Sequence, residues 1–91
     1  MYYVYILYSQ KVKHLYKGST NDLRERVTRH NAGKVQSTKD SRPWTLIYYA
    51  AFANKSDARR EELFLKTGQG RERIKYLLKE TIKNFKDKKD K

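Results

Sequence analysis

Apolar and polar positions change period along this chain, and the changes divide it into elements. Residues 2–8, Tyr-Tyr-Val-Tyr-Ile-Leu-Tyr, are aliphatic or aromatic throughout, mostly β-branched or aromatic, with no polar partner face. Such a run predicts a strand covered on both sides. Ser9 to Lys13 is a polar turn, and His14-Leu-Tyr-Lys-Gly-Ser19 is a second short strand completing a hairpin. Gly18 marks the end of that strand or a close backbone approach. Ser19-Thr20-Asn21 offers helix caps, with Asp22 in the first turn, where the helix dipole favours an anion. Leu23, Val27 and His30 recur at helical spacing and turn inward, whereas Arg24, Glu25 and Arg29 face water. This helix runs to about Asn31-Ala32, with Gly33 as its stop.

Residues 34–43 form a polar, basic loop, and Trp44 to Phe52 a third strand. A second helix starts at Ser56-Asp57 and ends near Lys66. A third begins around Gly70, with Ile74, Leu77, Leu78, Thr81, Ile82 and Phe85 along one stripe. The expected fold class is α/β (α+β): a small three-stranded antiparallel sheet flanked by helices, in the order β-β-α-β-α-α. One domain spans 1–85, and 86–91 is a charged, flexible tail.

Charge narrows the function. Twenty-two Lys and Arg stand against ten Asp and Glu, a formal excess of +12 over 91 residues. That balance suits a polyanion, with nucleic acid first and a membrane surface second. There is no cysteine, so disulfides, thiolate nucleophiles and thiolate zinc sites are excluded. The first residues lack a basic leader and cleavage pattern, and no apolar run approaches the ~20 residues that span a bilayer. The expectation is a soluble, cytoplasmic protein without a membrane partner.

The acids are scattered, and the only adjacent pair is Glu61-Glu62. Neighbours on a helix point about 100° apart, a poor arrangement for two ions about 4 Å apart. One carboxylate, completed by phosphate and water, is a mode that Mg²⁺ accepts. Two histidines, His14 and His30, cannot make a multi-His zinc site, and no phosphate-binding glycine loop is present. Arg26 and His30 stand four apart and share a helix face. An arginine held half-inside is costly unless an anion meets it, and phosphate is such an anion. The alternative is a surface Arg26 beside a His30 that merely closes the core. Most of the eight tyrosines belong to sheet packing.

Taken together, these residues form a pattern. Tyr3-Val4-Tyr5, then Tyr16-Lys17-Gly18 with its tyrosine eleven residues after Tyr5, then Arg26 and His30, and then Ala58-Arg-Arg-Glu-Glu62, stand in order. The set resembles the paired motif of the GIY-YIG nuclease superfamily. Asn31-Ala-Gly-Lys34, Ser37-Thr-Lys39, Arg42-Pro-Trp44 and Gly70-Arg71 are similar to its short, stand-alone branch, which resembles the UvrC N-terminal nuclease domain. The resemblance covers about residues 1–78. It implies that Glu62 holds one Mg²⁺ or Mn²⁺ ion and that Arg26 stabilises transition-state charge. It also implies that Tyr5 activates or orients the attacking water, that Tyr16 positions water or phosphate, and that His30 tunes a tyrosine or relays its proton. A free phenol, with pKa about 10, is ionised to only about one part in a thousand at pH 7. The chain departs from the family at Lys17, where an isoleucine is usual, at Tyr3 in place of glycine, and in the asparagine that many relatives carry after the glutamate helix. By strand alternation Lys17 points away from Tyr16, so it is expected to alter packing more than chemistry.

The leading expectation is a metal-dependent endonuclease-like domain that hydrolyses phosphodiester bonds in DNA, duplex or branched, in repair or recombination. RNA is a further substrate class, and no protein partner is indicated. Lys17, Arg29, Lys34, Lys39, Arg42, Lys66 and Arg71 are the candidate nucleic-acid contacts. The alternative is a non-catalytic nucleic-acid-binding module on the same scaffold. A protein–protein adaptor would need an exposed apolar stretch, which the sequence does not offer.

Overall fold

The structure, a computed structural model, describes residues 1–87. Strands β1 (Tyr2–Ser9) and β2 (Leu15–Thr20) form the hairpin, followed by α1 (Leu23–Asn31), β3 (Trp44–Phe52), α2 (Lys55–Leu65), α3 (Gly68–Leu77) and α4 (Lys79–Asp87). The sheet is antiparallel with order β2-β1-β3, so β1 is central. Its position explains its composition. Residues 4–9 are all buried, because α1 covers one face of the strand and α2 with α3 the other.

Alternation splits the core in two. Val4 and Ile6 pack with Ala58, Leu65, Ile74 and Leu78. Tyr5 and Leu7 pack with Trp44, Tyr16, Leu23 and Val27. The α1 layer is tied to β3 by Asn31, whose amide donates to the Trp44 carbonyl (3.0 Å) and accepts from the Trp44 N–H (2.7 Å).

Boundaries shift in three places. Asp22 is the N-cap of α1, accepting from the Glu25 amide at 3.1 Å, so it precedes the first turn. Ser19 and Thr20, which the sequence offers as caps, stay in β2 because they pair with Val4 and Tyr3. The last apolar stripe belongs to two helices, broken at Leu78; Leu78 is buried and Leu77 is half exposed. Gly33, the expected stop of α1, has φ of +77°, the left-handed conformation that glycine adopts without strain. Lys86 and Asp87, expected to open the tail, instead complete α4; 88–91, the rest of that expected tail, lie outside the described residues.

Candidate active site at the β2 edge

Tyr5 is fully buried opposite Gly18 of β2. A Cβ at Gly18 would lie 2.6 Å from the Tyr5 hydroxyl. The tyrosine therefore reaches across the neighbouring strand toward the sheet edge, and only glycine leaves it room. There it meets α1. Its hydroxyl lies 3.0 Å from His30 Nε2, and His30 Nδ1 lies 2.8 Å from Thr38 Oγ1.

The polarity of this buried chain follows from its two ends. The Arg26 guanidinium, which can only donate, stands beside Tyr5. The Thr38 hydroxyl lies 3.4 Å from the Val35 carbonyl, which can only accept. Tyr5 O–H therefore donates to Nε2, and Nδ1–H donates to Thr38. Burial pushes the His30 pKa below its ordinary value, and the charges of Arg26 and Arg29 push it the same way. The ring is accordingly the neutral Nδ1–H tautomer, with Nε2 facing Tyr5 as an acceptor. Burial pushes the Tyr5 phenol up to about 12; Tyr16 and Glu62 add to the rise and Arg26 opposes it. Tyr16 closes the cluster, its ring centroid 4.9 Å from that of His30 and 6.2 Å from that of Trp44.

Glu62 comes from the other face of the sheet. Ala58 and Leu65 anchor α2 in the core, and the same helix face carries Glu62 inward, its side chain 7% exposed. Ser19, which alternates away from Gly18, donates to Oε1 at 2.7 Å. Arg59 reaches Oε1 at 3.1 Å, and Lys66 reaches Oε2 at 3.0 Å. Burial alone would raise the Glu62 pKa. The Ser19 and Lys66 hydrogen bonds, with the charges of Lys66 and Arg59, outweigh it and hold the carboxyl below its usual range. Helix spacing leaves Glu61 and Glu62 equivalent, but the fold separates them: Glu61 pairs with Arg73 at 2.8 Å, on the α3 side.

Between the two faces, past the end of β2, runs a groove of about 700 Å³ whose lining includes Ser19, Thr20, Asn21, Arg26, Lys55, Arg59 and Arg60. The Nε of Arg26 is buried and makes no hydrogen bond. A buried, unanswered donor at a groove wall fits a phosphate oxygen. On the α2 side of the edge, Lys17 stands near Lys66 and Arg71; burial lowers its pKa first, and those two charges lower it further. Lys17 does point away from Tyr16, as alternation requires. Its position beside the lysine that holds Glu62 nevertheless makes it an electrostatic neighbour of the site, a correction to the packing role expected for it.

Tyr5, Tyr16, Arg26 and His30 thus form one cluster, and Glu62 stands at the same strand edge. Of the expected nucleic-acid contacts, Lys17, Lys66 and Arg71 border it. Arg29 pairs with Glu25 at 3.8 Å, Arg42 folds over Gly33, and Lys39 lines a separate hollow beside Lys11. These, with exposed Lys34, belong to the end of α1 and the following loop. Sequence reading missed Ser19, Thr38, Lys55, Arg59 and Arg60. Ser19 and Thr38 lie 43 residues from Glu62 and eight from His30 respectively, with no local signal of either contact.

No cluster of three or more His, Cys, Asp or Glu occurs among the described residues. One ionised carboxylate beside an anion-ready groove fits a Mg²⁺-type ion completed by phosphate and water, and does not fit a multi-carboxylate centre. No helix among the described residues is long and apolar enough to cross a membrane.

No solved structure matches the chain. It is similar to a protein of Pediococcus acidilactici named "UPF0213 protein in ldhD 5'region", 39% identical over 79 residues, covering 84% of this chain and 80% of that one. A UPF0213 protein of Staphylococcus haemolyticus is 39% identical over 77 residues, covering 84% and 93%. One of Clostridium perfringens is 34% identical over 84 residues, covering 91% and 89%. The family description "GIY-YIG catalytic domain" matches residues 1–77, and the chain belongs to that family.

Proposed function

We propose that this nuclease-type domain hydrolyses phosphodiester bonds in DNA with the help of one Mg²⁺ or Mn²⁺ ion on Glu62. The observation that carries the reading is the groove at the β2 edge, lined by Arg26, whose buried Nε is unanswered, and by Ser19 and Arg59, which hold the ionised Glu62 behind it. When bound, the ion supplies Lewis-acid stabilisation of the leaving 3′ oxygen.

The protein's own groups do the rest. Arg26 meets the charge that grows on the phosphoryl oxygens, the most effective place for a fixed cation. Tyr5 at about 12 is ionised to only on the order of one part in 10⁵ at pH 7, which argues against a standing phenolate. The buried chain offers another route. As water attacks phosphorus, its proton passes to the Tyr5 oxygen while the Tyr5 proton passes to His30 Nε2. The resulting imidazolium keeps its Nδ1–H on Thr38. Tyr16 packs against His30 and holds that ring in place. Arg59 and Lys66 lie on the Glu62 oxygens and keep that carboxylate ionised; Glu62 would hold the ion.

The test is cleavage of labelled duplex, single-stranded, flap and branched DNA with Mg²⁺ or Mn²⁺, wild type beside Glu62→Ala and Arg26→Ala. Wild type cuts at least one form. Both variants lose about 10²–10³-fold in turnover, and Glu62→Ala retains DNA affinity. Salt-dependent binding by all three proteins, with no cutting by any, would favour the non-catalytic module instead.

A further inference from the structure

A second groove lies on the far flank of α1, between that helix and β3, with a volume of about 560 Å³. Its floor is Leu23, Val27 and Leu46, and its walls carry Tyr3, Tyr49 and Arg24. Tyr49, on the edge strand β3, is 54% exposed. Its ring stands edge to face with that of Tyr3, centroids 6.1 Å apart. Alternation puts Tyr3 on the same face as Tyr5, and Tyr49 pairs with Tyr5 across the sheet. The exposed Tyr49 ring and the half-buried Tyr3 ring thus lie one step along the sheet from the buried tyrosine of the candidate active site. The grooves also meet: Asn21, the residue before the α1 N-cap, lines both.

We propose that the Tyr3–Tyr49 groove takes an unpaired nucleobase of the strand whose phosphate occupies the Arg26 groove. The inference rests on the nuclease reading and adds a substrate class to it: nucleic acid with an unpaired nucleotide beside the cut. An exposed ring over an aliphatic floor offers a π-face to a base, and such stacking tolerates any base sequence. Bases inside a duplex already have both faces stacked and cannot use it. Arg24 is exposed at the groove rim and supplies a cation for the backbone. The acidic group there, Asp22, is engaged in capping α1. A strand passing over the N-terminus of α1, beside Asn21, connects the two grooves without leaving the basic surface.

The experiment is equilibrium binding by fluorescence anisotropy with EDTA present, so that neither metal nor cleavage enters. The probes are a blunt duplex, the same duplex with a short single-stranded overhang, and that overhang with its bases removed. Wild type is expected to bind the base-bearing overhang about five- to a hundredfold more tightly than the blunt duplex. The abasic overhang should bind like the blunt duplex. Tyr49→Ala should remove the preference while leaving blunt-duplex affinity unchanged, and Tyr49→Phe should keep it. Thermal melts of both variants check that the sheet is intact.

Equal affinity for all three probes, or an equal loss on every probe in Tyr49→Ala, overturns the proposal while the nuclease reading stands. Binding to no probe removes both. Sedimentation supplies a further outcome: if Tyr49→Ala turns a dimer into a monomer with the overhang preference unchanged, the groove serves a second copy of the chain and the proposal fails.

Discussion

On one face of β1, Val4 and Ile6 are fully buried among Ala58, Leu65 and Ile74; on the other, Tyr5 is buried as deeply but its hydroxyl is engaged with His30. The first face is apolar at Val4 and Ile6, with the rings of Tyr2 and Tyr8 flanking them, and its packing holds α2 and α3 to the sheet. The second encloses a polar chain that ends at the Val35 carbonyl. A strand with period two can serve both purposes because adjacent residues never share a face. The cost of burying a hydroxyl and an imidazole is met by their mutual hydrogen bonds, and the apolar face carries the stability that this arrangement does not.

The largest expected effects separate the faces. Ile6→Ala should cost about 2–5 kcal/mol in urea unfolding, while the protein that remains folded cuts at nearly the wild-type rate. Tyr5→Phe should do the reverse. It leaves His30 Nε2 without a partner, costing about 1–3 kcal/mol, and it removes the group that passes the proton, lowering turnover about 10²–10⁴-fold. If Tyr5→Phe changes stability and turnover no more than another conservative core substitution does, the two faces are equivalent and the division fails.

Such a division is partly legible in the sequence. The unbroken apolar and aromatic run at residues 2–8 announced a strand covered on both sides, and the spacing of Leu23, Val27 and His30 placed α1 against it. The order of Tyr5, Tyr16, Arg26, His30 and Glu62 suggested that they belong together. The contacts that set their chemistry were not legible. Ser19 reads as a helix cap in sequence, yet the β2 register turns it toward Glu62. Thr38 reads as one polar residue in a polar loop, yet it is buried and holds His30. The break at Leu78 was hidden because the apolar stripe continues through it at helical spacing. Sequence periodicity reports which face is inward; it does not report which distant element arrives there.

Thr38 offers a finer test. Thr38→Val keeps the shape and removes the acceptor for His30 Nδ1–H, leaving that donor buried and unanswered. The expected loss is about 1–3 kcal/mol, with Thr38→Ser close to wild type. The ¹⁵N shifts of the imidazole give the more direct measurement. Wild type and Thr38→Ser should show a neutral ring protonated at Nδ1, and Thr38→Val should shift the population toward Nε2–H. A valine variant with the wild-type tautomer would mean that Arg26 and Tyr5 suffice to orient the chain, and would assign Thr38 to packing alone.

The smallest effect is a slope in pH. The folded His30 pKa lies below the unfolded value of 6.5 because burial disfavours the imidazolium. Between those two values the unfolded chain binds the extra proton and the folded one does not, so unfolding is favoured as pH falls. This contribution is fully present above 6.5 and declines as pH falls from there toward the folded pKa. The chain has one other histidine, His14, which is exposed. His30→Gln isolates the contribution of the buried ring. The urea midpoint of wild type should fall from about pH 7.5 to about pH 5.5, and that of the variant should fall less. Parallel slopes would mean that the polar face admits a proton to His30 as readily as solvent does. The two faces of β1 would then differ in hydrogen bonding but not in how firmly they exclude charge.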